Sequence, residues 1–222
     1  MQDRIADSPD VLFFVAVHQV SELWFKVIIH ELELTRSAIT VDDLDEAAYH
    51  LERVASIGNA LVEQVATLGT LSPARFAVIR SCLGTASGYQ SAQFRQLEFL
   101  SGLKDPGYLE LRGITEAERS ELARRLAEPS VLDAFEALCA RRGAHDLAAI
   151  ARNDDDHALT RLVERLLDYD ESIARWRARH ALMVERIMGY RTGTGGSAGA
   201  DYLYSTTRKR FFPRLWQTRS RL

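Results

Sequence analysis

Cysteine is close to absent: Cys82 and Cys139 are the only two among 222 residues. That excludes a disulfide framework and a thiolate zinc site. Charge of one sign is lacking as well, since 28 basic residues face 31 acidic ones and the net charge is -3. Without a broad basic field, nucleic acid is not an expected partner. Proline is sparse, with five in the chain, which leaves room for long helices. β-branched runs bounded by turn residues are scarce, which argues against strands. Lys26, Glu31 and Glu33 break the first apolar run early, so no membrane span and no membrane partner are expected. The opening "MQDRIADSPD" lacks the cationic start and apolar core of a secretion signal. The reading is a cytoplasmic protein, long enough for one domain with a sizeable core.

What is present is helical periodicity. The first helix is expected to start near Ser8-Pro9-Asp10, with Pro9 tolerated in its first turn, and to run to about Ile39. A second covers roughly 43–68, with Leu51, Val54, Ile57, Leu61, Val65 and Leu68 at helical spacing and Gly58 as a weak point. "GTLSPA" stops it and restarts with Ser72 as N-cap and Pro73 in the first turn, giving a short helix to about Leu83. "GTASG" breaks the chain, and another helix spans about 89–102. Thr115 and Glu118 form a capping box, and "PSVLDAFEALCARRG" gives a further short helix. The last long helix covers about 156–189, with Val163, Leu166, Ile173, Trp176, Met183 and Ile187 on one stripe. No internal repeat is visible. The fold class is all-α, one helical-bundle domain over residues 1–222 built on long core helices.

Three side chains interrupt this pattern. In "FFVAVHQVSELWF", His18 sits inside an apolar run and shares a helix face with Phe14 and Glu22. An ordinary core histidine with a satisfied hydrogen bond is the plain alternative. His180 falls on the apolar stripe of the last long helix, one turn after Trp176 and just before Met183. Two histidines on different core helices point toward a metal or haem held between facing helices. His30, His50, His145 and His157 are read as surface or loop residues without a role. Arg80 lies on the same face as Phe76 and Leu83. A buried guanidinium needs a partner, either an internal carboxylate or that of a ligand, unless the side chain reaches out to solvent. "RTGTGGSAGADYL" follows a helix rather than a strand, so it is no dinucleotide fingerprint; it is either a flexible loop or a backbone cradle close to a ligand.

Together these stretches resemble the tryptophan 2,3-dioxygenase family. "FFVAVHQVSELWFKVIIHELE", "IRSCLGTASGYQSAQFRQLEFLSG", "WRARHALMVERIMGYRTGTGGSAGADYL" and "FFPRLW" are similar to four family signatures, in order, from about Leu12 to Trp216. The resemblance implies an all-helical, homotetrameric enzyme with haem b and its iron, using O2 to open the indole ring of L-tryptophan to N-formylkynurenine. It implies His180 as the proximal haem ligand and His18 as the distal, catalytic histidine near the indole N–H. Arg80 would pair with the substrate carboxylate, and Thr194 would hold the amino-acid end. Phe14, Phe76, Leu83 and Gly193 would line the substrate side, and Ser87, Gly88, Trp176 and Met183 the haem side.

The chain also departs from the family pattern. A tyrosine-bearing arm ahead of the distal helix is expected to be missing. A carboxylate-pocket tyrosine is Phe76, and a tryptophan near the proximal histidine is Val65. A haem-dependent monooxygenase acting on a modified tryptophan or indole is the alternative, and a haem sensor a third reading. A second copy is expected to cover Phe13, Trp24 and Phe25, left exposed on the long helices.

Overall fold

The first apolar stretch forms a single helix, α1 (Pro9–Thr40), in the computed structural model, which describes residues 9–83, 90–144, 146–152, 156–193 and 199–221. The described residues form ten α-helices and no strand, so the protein is all-α as expected. After α1 come α2 (Leu44–Thr67), α3 (Pro73–Leu83), α4 (Ala92–Ser101), α5 (Glu116–Ala127) and α6 (Val131–Arg141). The chain ends with α7 (Leu147–Arg152), α8 (His157–Met188), α9 (Ala200–Thr206) and α10 (Pro213–Thr218).

Side-chain caps set most boundaries. Asp43 accepts from Glu46 N to start α2, and Asp156 accepts from Leu159 N to start α8. Ser91 accepts from Phe94 N, which starts α4 three residues later than the expected 89. The Thr115–Glu118 capping box is formed, and Ser130–Asp133 forms a second one on α6. The "GTASG" break lies outside the described residues.

α2 runs along α8, α1 along α2, and α4 and α6 pack on α1. Gly58 is more than a weak point: a Cβ there would lie 2.1 Å from Ser172 Oγ, so glycine allows α2 to approach α8. Ile28, Leu32 and Ile39 join Leu51 and Leu61, Leu162, Leu166 and Ile173, and Phe211 and Phe212 in one solid core. Buried Asp170 on α8 fixes the chain end: its Oδ2 accepts from Phe211 N (3.0 Å), Phe212 N (3.1 Å) and Trp216 Nε1 (2.9 Å). A separate apolar cluster of Val11, Val17, Val65, Leu68, Leu71, Ile79, Met183 and Ile187 surrounds the other end of the long helices.

Three expectations need correction. Phe25 is buried and Phe13 and Trp24 are half-buried. Helical phase turns Leu12, Val20, Leu23, Val27 and Leu34 outward instead. His50 is not at the surface; it is buried, with Nδ1 2.7 Å from Glu31 and Nε2 3.1 Å from Glu46. And α1 does contain an 18-residue window apolar enough to cross a membrane by length and composition, because the charges in it are too few to break it. In the fold α1 packs on α2, α4 and α6.

Candidate active site

A cavity of about 1010 Å³ is lined by the first half of α1, the end of α2, α3, α4, the second half of α8 and α9. Small-molecule pockets span roughly 300–1,000 Å³, so this one is roomy enough for a large planar ligand together with a small one.

His18 lines it from α1. Its Nδ1 lies 2.7 Å from the Phe14 carbonyl. A carbonyl only accepts, so Nδ1 donates its proton and the neutral ring presents Nε2 as an acceptor. Burial lowers the His18 pKa, against the raising effects of that carbonyl and of the Glu22 charge. Nε2 meets no hydrogen-bond partner among the described residues. The Phe14 ring packs 4.2 Å from the imidazole and 5.9 Å from Phe76. With Leu83, these rings make an apolar wall. Glu22, one turn along, is held by Gln93, whose Nε2 donates to its carboxylate at 2.7 Å.

His180 lines the same cavity from α8, beside Trp176 and Met183. Burial, and secondarily the charge of His18, pushes its pKa down to about 4, so the ring is neutral at pH 7. Trp176 Nε1 is a buried donor with no acceptor among the described residues. No cluster of three His, Cys, Asp or Glu able to hold a metal occurs among the described residues. A neutral imidazole without a ligand cluster around it suits a metal that brings its other ligands with it, as haem does. The orphaned indole N–H and the cavity size fit that group too.

Arg80 projects from α3 to the segment after α8, where Nη2 donates to the Thr192 carbonyl at 2.6 Å. Nη1 lies 4.0 Å from Met188 Sδ. No carboxylate pairs with Arg80 among the described residues. Gly193 also lines the cavity. Gly199 requires glycine: its φ is +63°, and a Cβ would meet the Arg191 carbonyl at 2.1 Å. Thr194, Ser87 and Gly88 lie outside the described residues.

The structure thus brings His18, Phe14, Phe76, Arg80, Leu83, Trp176, His180, Met183 and Gly193 to one cavity. A scan against family models matches residues 2–136 and 116–222 to the family described as tryptophan 2,3-dioxygenase. The chain belongs to the tryptophan 2,3-dioxygenase family. A relative named tryptophan 2,3-dioxygenase from Nocardioides sp. is 46% identical, over 96% of this chain and 85% of its own length. Proteins of the same name from Caulobacter vibrioides (36% identical, 100% and 93% covered) and Herpetosiphon aurantiacus (38%, 96% and 89%) are also similar.

Within this family member, sequence reasoning missed the charged end of the cavity. Glu98 on α4 is buried between two guanidiniums, Arg95 Nη1 at 2.5 Å and Arg177 Nη2 at 2.8 Å. Arg177 also donates to the Lys209 carbonyl at 3.1 Å, and Arg95 stacks 4.1 Å over the Tyr108 ring. Arg95, Glu98 and Arg177 all line the cavity, so its wall carries a buried charged group. The signal was available: Arg177 follows Ile173 by one turn on the buried stripe of α8, where a charge must have a partner.

Proposed function

We propose that this chain is a haem-dependent dioxygenase that adds both atoms of O2 across the indole C2–C3 bond of L-tryptophan, giving N-formylkynurenine. The carrying observation is that His18 and His180, both neutral and each with an unpartnered ring nitrogen, line the same large cavity. His180 would hold the haem iron. Bound there, haem would supply a redox-active iron that activates O2. The Arg177 guanidinium and the Trp176 N–H, both on the cavity wall, suit its carboxylates.

Phe14, Phe76 and Leu83 give the indole an apolar wall. His18 Nε2 is an acceptor and suits the indole N–H, which can only donate. Arg80 keeps donors beyond the one given to Thr192, and these suit the substrate carboxylate. Holding both ends of the substrate fixes the reacting bond against the oxidant, which is where proximity lowers the barrier.

The enzyme is proposed to act as a cytoplasmic homo-oligomer, residues 1–222 forming one domain. Cys139 is a buried free thiol, which suits a reducing compartment. Val20, Leu23, Val27 and Leu34 form an exposed apolar stripe on α1, with three-, four- and seven-residue spacing that suits a second copy. The test is to load the full chain with haem, add L-tryptophan, ascorbate and O2, and identify the product by mass. A product carrying two added oxygen atoms is expected. One added oxygen, or turnover only of a modified indole, would favour the monooxygenase alternative.

A further inference from the structure

Three described histidines show three different settings. His18 gives Nδ1–H to a carbonyl at 2.7 Å. His50 has a carboxylate at each ring nitrogen, 2.7 and 3.1 Å away. His180 has no hydrogen-bond partner among the described residues, and burial dominates its environment. An imidazole that ligates iron through one nitrogen nearly always gives its other N–H to a carboxylate, a carbonyl or water, and that bond makes it a stronger donor. The cluster that includes Met183 and Ile187, next to His180 on α8, is completed by Val65 and Leu68, which offer no side-chain acceptor.

What His180 does have is a ring contact. Trp176, one helical turn earlier, lies with its ring centroid 5.5 Å away at an interplanar angle of 23°. Trp176 is itself fixed by Phe25, edge-on at 5.6 Å, and by Phe94 at 5.0 Å. A stacked indole restrains rotation of the imidazole without drawing on its N–H.

We infer that Trp176 is the positioning residue for His180, and that stacking on it replaces the usual hydrogen bond. With haem bound, His180 would then be a weakly donating neutral ligand. Weak donation stabilises ferric iron less than ferrous iron, and the ferrous state is the one that takes up O2. The device therefore biases the cofactor toward its useful oxidation state. This rests on the haem reading above and adds to it the residue that orients the ligand and the direction of the redox bias.

The test is resonance Raman of the ferrous, haem-loaded full chain. The references are ferrous haem–2-methylimidazole in benzene, where the ligand N–H has no acceptor, and in water, where it has one. An iron–histidine stretch at the benzene value is expected. A stretch at or above the water value would overturn the inference, because a residue or an ordered water would then be accepting from His180. Trp176→Leu should move or broaden the band, and Trp176→Phe should restore it; an unchanged band in Trp176→Leu would remove the positioning role. If the wild-type chain takes up no haem, or if His180→Ala leaves the spectrum unchanged, the haem reading itself fails, a result distinct from a strongly bonded His180.

Discussion

The two halves of α8 make an instructive contrast. From Leu159 to Ile173 the helix packs along α2 and joins one solid core with residues of α1 and α6, and its one buried carboxylate, Asp170, accepts three hydrogen bonds. From Trp176 to Met188 the same apolar stripe borders a cavity of about 1010 Å³, and the Trp176 Nε1 and Arg177 Nε atoms there have no partner among the described residues. α1 shows the same division, with His18 and Phe14 on the cavity and Ile28, Leu32 and Ile39 in the core. One helical repeat therefore serves two ends. Where it meets other side chains it gives stability, and where it meets a void it gives a binding site.

The largest break in that contrast should come at Glu98, which is polar yet buried like the core. Glu98→Gln leaves two guanidiniums without their counter-charge and should cost about 3–5 kcal/mol, read as a urea midpoint shift. A loss within experimental error would show that the charged end is solvated. Next comes the direct comparison of the two halves. Leu166→Ala in the packed half should cost about 2–5 kcal/mol. Met183→Ala on the cavity wall should cost less than about 2 kcal/mol in the haem-free protein, because part of the side chain already faces space. Equal losses would erase the distinction.

Arg80 sharpens the contrast from the ligand's side. Arg80→Leu should leave the melting temperature nearly unchanged while weakening an amino-acid substrate by about 2–5 kcal/mol, and a carboxylate-free indole much less. Equal weakening of both would make Arg80 structural. The smallest effect belongs to Glu31, far from the cavity. Burial alone would raise its pKa, but hydrogen bonds from His50 and Arg53 bring it below the ordinary 4.5. Its contribution is therefore present above pH 4.5 and lost as pH falls through the depressed value. Glu31→Gln should cost about 1–2 kcal/mol at neutral pH and progressively less in acid, followed by denaturant titration across pH.

The long helices were legible because their apolar spacing and their caps lie in the sequence itself: α1, α2 and α8 end within a residue or two of expectation. α7, α9 and α10 were not, because six or seven residues carry too little periodicity to distinguish a helix from a turn. The phase of α1 was misjudged at Phe25, since a helix apolar on most faces does not announce which side is buried. In the site, His18, His180 and Arg80 stood out as polar residues in apolar stretches. The Glu98 bridge did not, because Arg95 and Glu98 read as an ordinary i,i+3 pair on α4, and Arg177, 79 residues from Glu98, meets it only in the fold. The role of "FFPRLW" was equally hidden: its backbone N–H groups and indole meet Asp170, 41 to 46 residues away in the chain.

The account's central claim is that the open end of α8 holds haem through His180. The most direct measurement is the absorption spectrum of the full chain and of His180→Ala, each titrated with haem under reducing conditions. The account predicts a saturable Soret band typical of histidine ligation for the wild type, and loss of most bound haem with loss of that band in the variant. Full retention of haem with an unchanged spectrum in His180→Ala would contradict it.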